Sequence, residues 1–159
     1  MSMDAEPRLR EATNADCEAV RDLVFTVLAE YGLKPDPGST DADLSDIEQS
    51  YLARGGTFRI LESSDGSVIG AYGLYPMEDR ACELRKMYLR RECRGQGLGR
   101  RLLDDALAEA RRLGFRRVVL ETASVLKEAI ALYERYGFAP YQPDHLSSRC
   151  DQAYLLELT

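Results

Sequence analysis

The sequence predicts an α/β domain of the α+β type, in which helices cover both faces of a mixed, mostly antiparallel central sheet. Segments with the composition and alternation of strands are separated by segments with helical spacing. Their order is one strand, two helices, three strands, a helix, a strand, a helix and two strands, which combines hairpins with crossovers. The 159 residues suit a single domain spanning 1–159 with one sizeable core.

The first part of the chain predicts a short strand followed by two helices. The strand lies at Leu9 to Glu11, and Thr13 with Asp16 forms a capping box at the start of the first helix, which ends at Gly32. The apolar face of that helix consists of Val20, Leu23, Val24, Val27, Leu28 and Tyr31. After a loop rich in proline and glycine, a second apolar face with helical spacing is formed by Leu44, Ile47, Tyr51 and Leu52.

The middle of the chain predicts three strands. Thr57 to Leu61 and Val68 to Tyr75 are joined by turn residues and form a hairpin. Glu83 to Leu89 is a third strand, and its alternation is irregular around Met87, Tyr88 and Leu89. Such an irregularity is consistent with a β-bulge.

The last part predicts a helix, a strand, a helix and two strands. A well-populated apolar stripe opens at Leu98 and ends at Gly114, followed by a β-branched strand over Arg117 to Leu120. Ser124 is the predicted cap of a helix that runs to Tyr136. The final strands lie at Phe138 to Tyr141 and Ala153 to Leu158.

The composition limits the partners and the compartment. A formal net charge of −6 argues against nucleic acid or an anionic membrane surface as the main partner, because both favour a basic face. Met1 to Arg10 has no apolar signal core, and no apolar run approaches the length of a membrane span. The four cysteines are widely spaced, which predicts no metal site and indicates reduced thiols in a cytoplasmic protein.

The most informative segment is the glycine-rich stretch from Arg94 to Arg100. It follows a strand and opens a strong amphipathic helix, so free N–H groups and the positive end of the helix dipole meet there. This arrangement favours a phosphate, although a tight strand-to-helix turn would use the same glycines. A P-loop would need a Lys-Ser/Thr ending, and the dinucleotide fingerprint would need glycine in place of Arg100.

With its flanking segments, this loop resembles the GNAT superfamily of acetyl-CoA-dependent N-acetyltransferases. Arg94-Gly95-Gln96-Gly97-Leu98-Gly99 matches the family's acyl-CoA loop, Arg/Gln-x-x-Gly-x-Gly/Ala. The segment Glu83 to Leu89 resembles the family's central strand, which is bulged and splayed. The segment Ala129 to Phe138 resembles the family's Ala-x-x-Leu-Tyr-x-x-x-Gly-Phe block, and the spacing of the three blocks also fits.

The resemblance implies an acetyl-CoA site without a metal. Its residues would be Met87, Tyr88, Leu89, Arg94, Gly95, Gln96, Gly97, Leu98, Gly99 and Arg100. Backbone groups of Met87 and Leu89 would pair with the pantetheine amide. Many relatives carry an asparagine where Leu126 stands, so Ser124 or Lys127 would have to supply the pantetheine contact.

The resemblance also implies direct transfer of the acetyl group to an amine, which must first lose a proton. Glu83 is the predicted base, with Glu121 or a water relay as the alternative. Tyr133 matches the family's tyrosine acid, although it also lies on an apolar helix face, where a packed aromatic residue would serve equally well.

The acceptor itself remains open. It could be a small molecule or a peptide amine, and the acidic group from Asp36 to Glu48 is either a solvated helix start or the border of a site for a cation. The competing class of protein is a non-catalytic module that binds acyl-CoA and senses it. A homodimer is compatible with the sequence.

Overall fold

A seven-stranded sheet organises the chain in the computed structural model, which describes residues 6–159. The strand order is β1-β2-β3-β4-β5-β7-β6, and every neighbouring pair is antiparallel except β4 and β5. The strands are β1 (Arg8–Glu11), β2 (Thr57–Glu62), β3 (Val68–Pro76), β4 (Ala81–Leu89), β5 (Arg117–Thr122), β6 (Ala139–Pro140) and β7 (Gln152–Glu157). The predicted mixed sheet is therefore confirmed. Residues 1–5 of the predicted domain lie outside the described residues.

Helices cover both faces of this sheet, as predicted. They are α1 (Cys17–Glu30), α2 (Ile47–Ser50), α3 (Leu98–Arg112) and α4 (Lys127–Arg135). Helices α1 and α2 share one buried apolar cluster with Phe58, Ile60 and Ala71. Helices α3 and α4 share a second cluster, on the opposite face, with Leu61, Tyr72 and Leu84 among others. The alternation of Ile60 and Leu61 between the two clusters is the period-two pattern of a strand buried on both sides.

Local hydrogen bonds explain where the helices depart from the predicted bounds. The Thr13–Asp16 capping box is present and leads into α1. The second predicted helix is broken into short turns because the Asp46 carboxylate accepts from the Gln49 N–H and restarts the helix at Ile47. Ser124 does not cap α4, so this prediction is wrong. Its hydroxyl and N–H both bond the Asp151 carboxylate, and α4 begins only at Lys127.

A β-bulge interrupts β4 where it pairs with β3. Gly73 opposes Arg85 and Ala71 opposes Tyr88, so two residues of β4 face the single Tyr72. One of the two is Lys86, whose φ of 56° is rare for a residue with a side chain. The bulge accounts for the irregular alternation of the sequence.

The bulge also changes which side chains point to each face. Before it, Cys82 and Leu84 pack on the α3/α4 side; after it, Met87 and Leu89 do. Arg85 and Lys86 are consecutive, yet both reach the α1/α2 side, where Arg85 stacks on Tyr75 and Lys86 bonds a loop carboxylate. Two cationic groups are thereby placed side by side on one face.

Strands β4 and β5 part shortly after they begin. Their parallel pairing covers only Ala81–Glu83 against Arg117–Val119, whereas β4 continues to Leu89 and β5 to Thr122. The gap between the strands is a wedge in the middle of the sheet. The predicted splayed and bulged central strand is confirmed.

Candidate functional site

The wedge opens into a cavity of about 780 Å³. The lining comes from the end of α1, the loop after it, β4, the start of α3, the end of β5, α4 and the loop before β7. One end of the cavity meets the loop before α3, and we call this the donor half. The other end is bordered by β4 residues on the α1/α2 side and by the β6–β7 loop, and we call this the acceptor half.

The donor half contains an uncapped helix start. Gly95 and Gly97 have φ values of 79° and 81°, in the left-handed region that glycine adopts without strain. Gly97 is the N-cap of the 15-residue helix α3, and no side chain caps this end. The first N–H groups of α3 therefore remain available to an anion, and the helix dipole adds to the attraction.

The two predicted loop arginines lie in different environments. The Arg94 guanidinium donates to the Leu89 carbonyl through Nε (3.1 Å) and Nη2 (2.9 Å), and Nη2 also contacts Glu30 Oε1 at 2.9 Å. Arg94 thus braces the loop against β4 and α1. Arg100 is exposed, and its side chain has no ion-pair partner among residues 6–159.

The predicted loop residues divide into two groups. Arg94, Gly95 and Gly99 line the cavity. The remainder lie at its rim around the helix start, outside the lining residues: Gln96, Gly97, Leu98 and Arg100. A side chain at Gly99 would come within 3.8 Å of Leu132, so α4 approaches the loop closely.

Met87, Tyr88 and Leu89 all line the cavity from β4. The N–H of Arg90 bonds Ile69 of β3, and successive N–H groups of a strand point to opposite edges. The N–H groups of Leu89 and Met87 therefore point away from β3, into the wedge that β5 leaves open. Burial raises the pKa of the Tyr88 hydroxyl to about 12.

Tyr133 projects from α4 into the same cavity and is 6% exposed. Its ring packs on Phe138, with the ring centroids 5.6 Å apart. Within the described residues its hydroxyl has no hydrogen-bond partner, and burial raises its pKa above the ordinary tyrosine value. The hydroxyl therefore stays protonated at neutral pH and can donate to a group in the cavity.

Glu83 and Glu121 line the cavity from the two parted strands. Glu83 Oε1 accepts from Arg85 Nε at 2.5 Å, and Glu121 Oε1 accepts from the Ser147 N–H at 2.9 Å. The second oxygen of each carboxylate has no partner among the described residues. Either carboxylate can therefore accept a proton from a molecule in the cavity.

A buried charge network that the sequence did not predict lies behind the acceptor half. Arg149 binds Asp41 through both terminal nitrogens, at 2.7 and 2.6 Å. Lys86 Nζ contacts Asp41 Oδ1 at 3.4 Å and Asp43 Oδ1 at 3.2 Å. Burial would raise the pKa of Asp41, but the bonds from Arg149 and from the Asp36 N–H, with the charge of Lys86, hold this pKa below its ordinary value.

This network overturns the solvated interpretation for Asp41, whereas Asp46 and Glu48 of the same acidic group are exposed at the start of α2. Asp41 is fully buried because two cations from distant segments neutralise it. The pair Arg85–Lys86 on an irregular strand was the only signal in the sequence. Nothing near Arg149 in the chain indicated that it would meet Asp41.

Leu126 occupies the position at which many relatives carry an asparagine. Leu126 lines the cavity at the start of α4. Ser124 is bound to Asp151, and Lys127 is exposed and outside the cavity lining. Neither predicted substitute therefore reaches the cavity in this structure.

The fold and the site suit an acyltransferase. Comparison with known proteins then identifies the family. The model of the Acetyltransferase (GNAT) family matches residues 22–138, and the chain belongs to this family. The predicted resemblance and the predicted class of acetyl-transferring enzyme are confirmed.

A curated relative agrees with this assignment, and solved structures agree with the fold. The chain is 42% identical over 137 residues to the uncharacterized N-acetyltransferase YjgM of Escherichia coli (strain K12), covering 83% of this chain and 81% of the relative. A GNAT acetyltransferase from Staphylococcus aureus Mu50 superposes with a TM-score of 0.90 at 21% identity, covering 96% and 99% of the two chains. Salmonella typhimurium yncA, solved with its cofactor acetyl-CoA, has a TM-score of 0.74 at 23% identity over 98% and 95%.

The described residues contain neither a membrane-spanning helix nor a cluster of metal-ligating side chains. None of the helices between residues 6 and 159 has the length and apolarity needed to cross a membrane. In the same range, no group of three or more His, Cys, Asp or Glu side chains is arranged to hold a metal ion.

Proposed function

We propose that the chain transfers the acetyl group of acetyl-CoA directly to a primary amine, with the co-substrate lying in the wedge between β4 and β5. The observation that carries this proposal is the continuity of the wedge with the uncapped start of α3. An extended acyl chain can lie along the unpaired edge of β4 while its pyrophosphate meets the helix N-terminus.

The donor half would bind acetyl-CoA mainly through its backbone. The N–H groups of Met87 and Leu89 would pair with the pantetheine arm, and Tyr88 would border it. The loop would hold the pyrophosphate through its N–H groups and Arg100. Arg94 would act indirectly, since its bonds to Leu89 and Glu30 hold the loop in shape. An N–H in the wedge would also stabilise the negative charge that develops on the thioester oxygen.

Glu83 would accept the proton that the amine must lose. An alkylamine has a pKa of about 10, so it arrives as an ammonium ion at neutral pH. The uncoordinated Oε2 of Glu83 takes that proton, and the amine nitrogen then attacks the thioester carbon. Glu121, or a water molecule held by it, is the alternative base because it also has one uncoordinated oxygen.

Tyr133 would complete the reaction. The bond between the acyl carbon and sulfur breaks with its electron pair on sulfur, and the Tyr133 hydroxyl donates its proton to the departing thiolate. The nitrogen loses a second proton as it becomes an amide, and this proton returns to the Tyr133 oxygen directly or through water. The position of the Tyr133 hydroxyl supports this role, because the residue lines the cavity and its hydroxyl has no hydrogen-bond partner among the described residues.

Two measurements test this proposal. Acetyl-CoA should raise the melting temperature, because it binds only the folded state, whereas NAD should not. Free thiol should appear when a mixed panel of amines is added. A melting shift without transfer to any amine would favour the alternative, a non-catalytic acyl-CoA-binding module. No shift at millimolar acetyl-CoA would contradict the whole proposal.

Glu83→Gln tests the base. We expect a loss of turnover of about 10²–10⁴-fold at pH 7, with unchanged acetyl-CoA binding. The loss should become smaller as the pH approaches 10, because the amine then deprotonates without help. Glu121→Gln is the matched variant. An equal loss at every pH would assign Glu83 a structural role, and a larger loss in Glu121→Gln would make Glu121 the base.

We further propose a cytoplasmic protein that acts on a small-molecule or peptide amine. All four cysteines are free, which suits a reducing compartment. The net charge of −6 argues against nucleic acid as the partner. The homodimer stays a prediction, which light scattering can check.

A further inference from the structure

We propose that the acceptor is an α-amino acid, and that Arg85 binds its carboxylate. This inference rests on the proposed function and specifies the acceptor of the same site. An arginine fork pairs two N–H groups with a carboxylate, and this geometry discriminates strongly between a carboxylate and a neutral group.

Arg85 presents its guanidinium to the acceptor half in a fixed position. Its carbon Cζ lies 3.8 Å from the centroid of the Tyr75 ring, which supports one face of the guanidinium. Its Nε donates to Glu83 at 2.5 Å. The side chain is 30% exposed and lines the cavity, so this anchored group remains within reach of a ligand.

The hydrogen-bonding capacity of Arg85 is only partly used. Among the described residues its only carboxylate partner is Glu83, which engages Nε and leaves Nη1 and Nη2 without a carboxylate. Nη1 and Nη2 carry four of the five guanidinium N–H donors. A carboxylate that enters the cavity can therefore bind Arg85 without displacing Glu83.

The other lysine and arginine side chains that line the acceptor half are already neutralised. Arg149 uses both terminal nitrogens on Asp41, and Lys86 lies between Asp41 and Asp43. Neither aspartate lines the cavity, so both neutralise these cations from the side that faces away from the cavity. Arg85 is thus the cation of the acceptor half that has donors to offer.

The spacing between Glu83 and Arg85 sets the distance between the two ligand groups. The residues are two apart on one strand, so their side chains share a face, and they touch each other. A ligand ammonium bound at Glu83 Oε2 and a ligand carboxylate bound at Arg85 Nη1 or Nη2 must therefore also lie close to each other. A single carbon joins these groups in an α-amino acid, whereas a lysine side chain or a polyamine has no such carboxylate.

The test compares acids with their amides. The proteinogenic L-amino acids, the corresponding amino-acid amides, two polyamines and a lysine-containing peptide are offered with acetyl-CoA, and thiol release is followed. We expect the best amino acid to exceed its own amide by roughly tenfold to a hundredfold in kcat/KM, as one charge-assisted bidentate pair allows. In Arg85→Gln this ratio should fall to about one, while the KM for acetyl-CoA is unchanged.

Arg54→Gln is the matched control. Arg54 also stacks on Tyr75, at 5.3 Å, but it is exposed and does not line the cavity. Its acid-to-amide ratio should equal that of the parent. Arg85→Lys keeps the charge and loses the fork, so we expect an intermediate ratio.

The outcomes separate this inference from the proposed function. Transfer to amides, polyamines or the peptide at rates equal to or above those of the amino acids overturns the amino-acid acceptor but keeps the N-acetyltransferase. An equal loss of kcat/KM for acids and for amides in Arg85→Gln also overturns the amino-acid acceptor and keeps the N-acetyltransferase. Transfer to no acceptor at all contradicts both proposals.

Discussion

The two halves of the cavity are constructed in different ways. The donor half comes mainly from one continuous stretch, β4 through the first turn of α3, and its features are backbone features: a bulge, a parted edge and an uncapped helix start. The acceptor half joins side chains from the loop after α1, from β4 and from the loop before β7. A site formed by the backbone of one continuous segment can be recognised in the sequence as a motif. A site formed by charged side chains from distant segments cannot.

The charge network of the acceptor half gives the largest expected effect on stability. Lys86→Met removes the buried ammonium and leaves Asp43 without its cation, which should lower the free energy of unfolding by about 3–5 kcal/mol. Methionine at this position has the same backbone strain, so the change isolates the charge. Chemical denaturation of both proteins measures the effect.

The control for this variant is an exposed ion pair. Arg112→Met breaks the contact with Glu109 on the surface of α3, and it should cost at most about 1 kcal/mol. If Lys86→Met lowers the free energy of unfolding no more than Arg112→Met does, the charge network does not hold the acceptor half together. The proposed difference between the two halves is then wrong.

A change of backbone in the donor half should give the next largest effect. Gly97→Val places a branched side chain at a φ of 81°, which distorts the helix start that would meet the pyrophosphate. We expect acetyl-CoA to bind about a hundredfold more weakly, as measured by titration calorimetry.

Gly114→Val is the matched control for that change. Gly114 has a φ of 90° just after the other end of α3, and a Cβ there meets nothing within 4 Å, as at Gly97. Both variants should lose similar stability, roughly 1–2 kcal/mol. A comparable loss of acetyl-CoA affinity in Gly114→Val would mean that strain alone, and not the position of Gly97, weakens binding.

The smallest effect on activity is expected for Tyr133, which lines the cavity from α4. Tyr133→Phe keeps the ring packing on Phe138 and removes the proton donor. A thiolate is a good leaving group, with a thiol reference pKa near 8.5, so turnover should fall only about tenfold to a hundredfold. Stability should change little, because the hydroxyl has no partner among the described residues.

The pH profile refines this prediction. Because burial raises the pKa of Tyr133, the parent should show no loss of activity from this group up to about pH 10. Intact activity in Tyr133→Phe would make Tyr133 a packing residue and would assign the proton to water or to another side chain. A joint fall of activity and stability would indicate a structural hydroxyl.

The contrast between the halves also explains what the sequence could predict. The order of the elements, the capping box at Thr13 and the irregular strand near Met87 depend on neighbours in the chain, and these predictions are confirmed. Ser124 was predicted as a cap, but Asp151, 27 residues away, competes for its hydroxyl. The burial of Asp41 likewise depends on Arg149, which is 108 residues away. Features that depend on neighbouring residues could be predicted from the sequence. Features that depend on residues far apart in the chain are determined by tertiary packing.

The parting of β4 and β5 has a consequence for how the protein avoids aggregation. Unpaired strand edges on the outside of a sheet invite strands of other chains to add to them. Here the unpaired edge lies inside the sheet, with α4 and the β6–β7 loop among the walls of the cavity around it. A strand of another chain could pair with this edge only from within the cavity, between these walls. The fold therefore retains the binding capacity of a free edge while shielding that edge from unwanted pairing between molecules.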